Sequence, residues 1–65
     1  MSALLDRLLV SRTACERGIE RMDEMIRTND GAAQQVAAIT RRDWARACYL
    51  IQARIEREER EYADR

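Results

Sequence analysis

The chain has 65 residues, with twelve arginines balanced by twelve acidic residues, and it contains no histidine, lysine or proline. Without histidine, and with only two cysteines, one chain cannot assemble a tetrahedral zinc site or a framework of several disulfides. A neutral net charge provides no overall attraction to nucleic acid or to membranes. Chains this short bury only about 60% of their unfolded surface, so we expect this one to gain stability by association.

The sequence also lacks the groups that common catalytic sites use. It has no histidine, no glycine-rich phosphate loop and no nucleophile motif, so we expect neither enzymatic activity nor a cofactor. Asp6 and Arg7 interrupt the first apolar run before it reaches the length of a signal-peptide core or a membrane span. We therefore expect a cytoplasmic protein in which Cys15 and Cys48 stay reduced and pack as small apolar residues.

The first half of the chain has the pattern of one long amphipathic helix, predicted over residues 2–28. Ser2, at its start, is a residue type that commonly caps helices. Apolar residues then recur at alternating spacings of three and four, which places them on one face of a helix. This stripe consists of Leu5, Leu8, Cys15, Ile19, Met22 and Ile26, and Arg12 fills the one missing step.

A turn is predicted at residues 29–31 and a second helix at about residues 32–63. Either Asn29 or Gly31 can adopt the left-handed conformation that ends a helix, and Asp30 can cap the next one. The second helix repeats the three-four spacing, with Glu58 standing at one apolar step. Its stripe consists of Ala33, Val36, Ala37, Thr40, Trp44, Cys48, Ile51, Ile55 and Tyr62.

The two stripes face each other if the chain folds back at the turn. Residue numbers paired across the hairpin then add to a constant total, and apolar residues meet apolar residues. The pairs are Leu8 with Ile55, Cys15 with Cys48, Ile19 with Trp44, and Ile26 with Ala37, while Arg12 lies opposite Ile51. The sequence therefore predicts an all-α fold, an antiparallel two-helix hairpin within a single domain.

One local pattern favours a different architecture. Thr40 and Asp43 have the spacing of a capping box, and Ile39 and Trp44 have that of a hydrophobic staple. The alternative is therefore three helices with a break near Thr40.

Two residues on the first helix have more than one interpretation. Gly18 either permits close approach of the neighbouring helix or is simply tolerated in a stable helix at a cost of roughly 0.5–1 kcal/mol. Arg12 either pairs with Glu58, which interrupts the opposite stripe, or extends its guanidinium to water from the edge of the stripe.

The apolar residues of both helices cover more surface than one neighbouring helix can bury. This excess favours association, either as a homodimer that forms a four-helix bundle or with another helical protein. The predicted function is a small protein-interaction module: an adaptor, a chaperone-like subunit or a regulator. The predicted partner-binding residues are Leu4, Leu5, Leu8, Leu9, Arg12, Ile39, Tyr49 and Leu50.

The alternative function is a small dimeric DNA- or RNA-binding regulator. Arg41, Arg42 and Arg46 form the densest local group of basic residues, with Arg54 and Arg57 further along the same helix. Acidic residues are interspersed, which is more typical of a solvated helix face than of a nucleic-acid interface.

Overall fold

The computed structural model describes residues 2–64, which form two long helices joined by a tight turn. Helix α1 spans Ala3–Thr28 and helix α2 spans Gly31–Ala63. The helices pack against each other as an antiparallel hairpin with overall dimensions of 52 × 14 × 12 Å. The predicted all-α hairpin is confirmed.

Local hydrogen bonds explain where the helices begin and end. The Ser2 Oγ accepts a hydrogen bond of 3.0 Å from the backbone N–H of Leu5, as expected of an N-cap. At the turn, Gly31 adopts the left-handed conformation with φ of 62°, whereas Asn29 is extended. Asp30 occupies the N-cap position of α2, but its side chain makes no capping hydrogen bond. The Nε2 of Gln34 donates a hydrogen bond of 3.0 Å to the carbonyl oxygen of Ile26, which joins the start of α2 to the end of α1 across the turn.

Helix α2 runs through Thr40 without interruption, so the three-helix alternative is wrong. The hydroxyl of Thr40 does not cap a new helix. It donates a hydrogen bond of 2.9 Å to the carbonyl oxygen of Val36, one turn earlier. A threonine hydroxyl satisfied in this way is compatible with a helix interior. The capping-box pattern is therefore overridden by the continuous packing of α2 on α1.

Contacts between the two helices show the predicted register. The pairs are Gly18 with Trp44, Arg12 with Gln52, and Asp23 with Arg41. In each pair the residue numbers add to within one of the total predicted from the apolar stripes. The register is thus held at three successive levels along the hairpin.

The interior of the hairpin is thin. The buried apolar side chains of residues 2–64 are Leu5, Cys15, Ala37 and Ile55, and only Ile55 is fully buried. Leu8, Ile19, Met22, Ile26, Trp44, Cys48 and Ile51 are half-buried. A single pair of helices covers only the strip along which they touch, so most apolar side chains keep part of their surface in solvent.

Three residues of the predicted stripe on α2 lie outside this strip. Ala33 and Val36 are exposed, because Ala37 occupies the centre of the contact near the turn. Tyr62 is half exposed, since the register places it at the very start of α1, where little of the opposite helix remains to cover it. The stripe was therefore predicted too long at both ends of α2.

Gly18 is buried because the indole of Trp44 lies directly over it. A Cβ atom added at Gly18 would be 2.6 Å from both Cδ2 and Cε2 of Trp44 and 3.0 Å from its Cγ. These distances are shorter than van der Waals contact. Of the two interpretations of Gly18, the structure supports close approach, and the group that approaches is a tryptophan side chain.

Replacing Gly18 with alanine tests this packing. In the wild-type chain, Gly18→Ala is expected to lower the free energy of unfolding by about 1 kcal/mol, because overpacking against the indole outweighs the better helix propensity of alanine. In a Trp44→Ala background the same change is expected to raise that free energy by roughly 0.5–1 kcal/mol. Urea unfolding followed by circular dichroism measures both values.

The two backgrounds together form a double-mutant cycle, which isolates the coupling between the two positions. An effect of Gly18→Ala with the same sign and size in both backgrounds would contradict the close packing.

Candidate partner-binding surface

The structure distributes the eight predicted partner-binding residues over several parts of the surface. Leu5 is already buried between the helices, and Leu8, Leu9 and Arg12 are half-buried. The exposed members are Leu4, Leu50, Ile39 and Tyr49, whose exposed fractions are 40%, 56%, 58% and 73%. Tyr49 lies toward one broad face of the hairpin, and Leu4 and Leu50 lie toward the other. Ile39 is eleven residues, three helical turns, before Leu50 and therefore lies on the same side of α2 as Leu50. The two faces differ in chemistry.

One broad face is polar, and we call it the Arg12 face. The Nη1 of Arg12 donates a hydrogen bond of 2.8 Å to Oε1 of Gln52, which in turn donates to Oε1 of Glu56 at 3.3 Å. The Nε of Arg12 is buried and lies 3.5 Å from Glu16 Oε1, an ion-pair distance without hydrogen-bond geometry. The hydrogen bond from Arg12 to Gln52 links the two helices. Tyr49, one turn before Gln52, belongs to the same side.

The predicted pairing of Arg12 with Glu58 is wrong. Glu58 instead pairs with Arg54 on its own helix, at 3.5 Å. Glu58 lies six residues beyond Gln52, which is about 9 Å along the helix axis. The register therefore places Glu58 opposite the first turns of α1, beyond the reach of Arg12. The second interpretation of Arg12 is also incomplete, because its guanidinium binds a side chain across the hairpin.

The other broad face carries Trp44 and its neighbours, and we call it the Trp44 face. On α1 it is marked by Gly18, which the indole covers. Leu4, Ser11 and Met25 are spaced from Gly18 by multiples of seven residues, close to whole helical turns, so all four point in similar directions. Leu4 and Met25 are 40% and 37% exposed. The seven-residue spacing is present in the sequence, but the helix was predicted from the neighbouring apolar stripe alone.

On α2 the Trp44 face begins at a shallow depression lined by Thr40, Asp43 and Trp44. From Asp43 the line continues at spacings of four, three and four residues. It includes Val36, Asp43, Ala47, Leu50 and Arg54. Val36 is 61% exposed and was placed in the interior by sequence reasoning. The line thus contains two apolar side chains, one small residue and a pair of opposite charges.

A separate groove opens at the free ends of the helices. It is lined by Leu5, Leu9, Glu59 and Tyr62. Two predicted partner-binding residues line this groove: Leu5, which is buried, and Leu9, which is half-buried. Tyr62 was not among the predicted residues, and it is 49% exposed. The groove is therefore apolar on three sides with one carboxylate at its edge.

Cys15 and Cys48 are both free thiols, the first buried and the second half-buried. Burial of Cys15 raises its pKa above the ordinary value of 9.0, and the neighbouring Cys48 raises it further. The register places Cys48 opposite Cys15 across the hairpin. A raised pKa keeps Cys15 in the thiol form, which is poorly nucleophilic and packs as an apolar group.

The arginines of the alternative function do not converge on one site. Arg41 is ion-paired with Asp23 of α1, which neutralises its charge. Arg42 and Arg46 are exposed and lie one turn apart on the outer side of α2. Among residues 2–64 there is no cluster of side chains suited to holding a metal ion, and neither helix is long and apolar enough to cross a membrane.

Comparisons of this chain with protein-family models, with curated proteins and with solved structures give no match.

The raised pKa of Cys15 predicts a loss of stability at alkaline pH. Because the folded chain holds the thiol proton more tightly than the unfolded chain, the unfolded state releases this proton first as pH rises through 9.0. The contribution of Cys15 to the free energy of unfolding is therefore constant below that range and falls through it. Urea unfolding at a series of pH values measures the slope.

A Cys15→Ala chain is the matched control, since it keeps both tyrosines and all other titrating groups. Its unfolding free energy is expected to depend less on alkaline pH than that of the wild-type chain. Identical slopes for the two chains would contradict the assignment to Cys15.

The proximity of the two thiols can be tested directly. A short bifunctional thiol reagent is expected to cross-link Cys15 to Cys48 within one native chain, with no denaturant present. Mass spectrometry of the protease-digested product identifies the linkage. Failure to form it, when each thiol is shown to react with a monofunctional reagent, would contradict the register.

Proposed function

We propose that this chain is a small non-enzymatic protein-interaction module, acting as an adaptor, chaperone-like subunit or regulator through the apolar surface of its helical hairpin. The observation that carries the proposal is the amount of surface left uncovered. The chain exposes 5199 Å². A compact monomer of 7.6 kDa would expose about 4,300 Å².

The excess of about 900 Å² is close to the roughly 800 Å² that each partner buries in a standard protein–protein interface. Large apolar side chains contribute to the exposed surface. Among residues 2–64, the exposed large apolar side chains are Leu4, Val10, Met25, Val36, Ile39, Tyr49, Leu50 and Tyr62. Exposed large apolar side chains that lie together on one face are typical of a site that another macromolecule covers.

Polar chemistry on the hairpin supports binding rather than catalysis. The ion pairs of residues 2–64 join arginines to carboxylates. Two of the five lie within α1, two lie within α2, and one joins the two helices. The polar network around Arg12 links the two helices and holds their register. These groups stabilise the hairpin and present its apolar faces in a defined geometry.

Sedimentation of the purified chain tests the proposal. At micromolar concentration we expect a particle of at least twice the 7.6 kDa of one chain, and a thermal midpoint that rises with protein concentration, because association stabilises the folded state by mass action. A well-folded, soluble monomer whose thermal midpoint does not change with concentration would contradict the argument from excess surface.

A salt titration with DNA and RNA probes separates this proposal from the nucleic-acid alternative. An interaction module is expected to show no affinity at physiological salt. Binding that weakens steeply as salt rises, and that is lost when Arg42 and Arg46 are both replaced by alanine, would instead support the regulator.

A further inference from the structure

We propose that the Trp44 face is covered by a second copy of this chain. The two copies pack antiparallel, face to face, and are related by a two-fold axis that lies between them and is perpendicular to the helix axes. This inference rests on the proposed function and names the partner for one of its faces. The argument begins with charge. Asp43 and Arg54 lie on the same line of α2 and are eleven residues apart, which is three helical turns.

Opposite charges three turns apart on one line are self-complementary. If a second α2 runs antiparallel along this line, with the axis midway between Asp43 and Arg54, then each Asp43 faces Arg54 of the second copy. Two ion pairs form, one on each side of the axis. Asp43 is exposed, and the Arg54 side chain is 55% exposed. The Nε of Arg54 contacts Glu58 on its own helix, which leaves the other guanidinium N–H groups to bind Asp43 of the second copy. Between them, Ala47 of each chain faces Leu50 of the other, a small residue against a large one.

The exposed apolar residues of α1 indicate the same axis, and this evidence does not depend on the charged pair of α2. Leu4 and Met25 are the large apolar residues exposed on the α1 part of this face, and they are 21 residues apart. Their midpoint lies between Ala14 and Cys15. An antiparallel copy with its axis there brings Leu4 of each chain onto Met25 of the other, which buries both.

The register of the hairpin makes these two axes coincide. The midpoint of α2 lies between Cys48 and Tyr49, directly after the residue that the register places opposite Cys15. The midpoint of α1 lies directly before Cys15. One two-fold axis, lying between the two copies, therefore crosses both helices at the same height. Two unrelated residue pairs, one charged and one apolar, thus define a single arrangement.

Side-chain size along the Trp44 face is consistent with this packing. Near the axis the residues on α1 are small: Ser11, Ala14 and Gly18. In the antiparallel arrangement Ser11 lies opposite Gly18 of the second copy, which the indole of its own Trp44 covers, so the small residues leave room for the indole at the centre. Leu4 and Met25 fill the space toward the ends. Helix axes in packed pairs lie about 8–10 Å apart, with the smaller distances at small residues.

The exposed surface of the whole chain is large enough for such a dimer. The surface that the chain exposes beyond a compact monomer, about 900 Å², equals or exceeds the roughly 800 Å² per chain of a standard interface. The resulting assembly is a four-helix bundle, in which the half-buried Trp44 becomes part of the central core.

Charge reversal tests the arrangement. Asp43→Arg and Arg54→Asp each replace two attractive pairs by two repulsive ones, so each single variant is expected to raise the dimer dissociation constant by about tenfold or more. The double variant D43R/R54D restores opposite charges and is expected to return within about threefold of the wild-type constant. Sedimentation equilibrium measures the constants, and circular dichroism confirms that each variant remains helical.

The matched controls are Glu20→Arg and Arg17→Asp, which make the same changes at exposed positions of α1 away from this face. Their dissociation constants are expected to stay close to wild type. If the chain associates and the Asp43 and Arg54 variants behave like the controls, this face is not the interface, while the proposed function stands. A chain that stays monomeric overturns both.

Orientation is tested by cross-linking two single-cysteine chains, Leu4→Cys and Met25→Cys, in a background where Cys15 and Cys48 are alanine and the helical spectrum is retained. An equimolar mixture is expected to give mainly the mixed cross-link, because the antiparallel dimer places these two positions together. A predominance of cross-links between two Leu4→Cys chains indicates a parallel dimer and overturns the inference.

Discussion

The packing of the Trp44 indole on Gly18 is the contact on which the rest of the hairpin depends. No side chain stands between the indole and the α1 backbone, so the two helices meet at one defined height. The Arg12 and Gln52 pair lies on one side of this contact along the axis, and the Asp23 and Arg41 pair lies on the other. A slip of one turn would separate both polar pairs and force the indole onto a larger residue.

A two-helix fold held in this way has a consequence for function. Its interior consists of one strip of side chains, of which only Ile55 is fully buried, so the fold itself hides little apolar surface. The hydrophobic effect that stabilises larger domains is therefore only partly used within a single chain. An additional chain would supply the missing burial, and for this reason the stability of the hairpin and its proposed function are linked.

The two broad faces have different roles: the Arg12 face stabilises the hairpin, and the Trp44 face is the proposed binding surface. Polar contacts on the Arg12 face join α1 to α2, and because they hold the register they also fix which residues of the two helices share the opposite face. The Trp44 face combines small residues, exposed apolar side chains and the opposite charges of Asp43 and Arg54. Zero net charge on the chain is compatible with self-association, since two copies do not repel each other overall.

The sequence by itself determined the two helices, the turn and the register, because the three-four periodicity of apolar residues depends only on helix geometry and a tight turn leaves one way to align the stripes. Tertiary structure decided what local patterns left open. Thr40 continues a helix because packing on α1 outweighs a capping motif, and Gly18 matters only because a ring from another helix reaches it. Arg12 binds Gln52 rather than Glu58, since the offset between helices, not the chemistry of the side chains, determines which groups can meet.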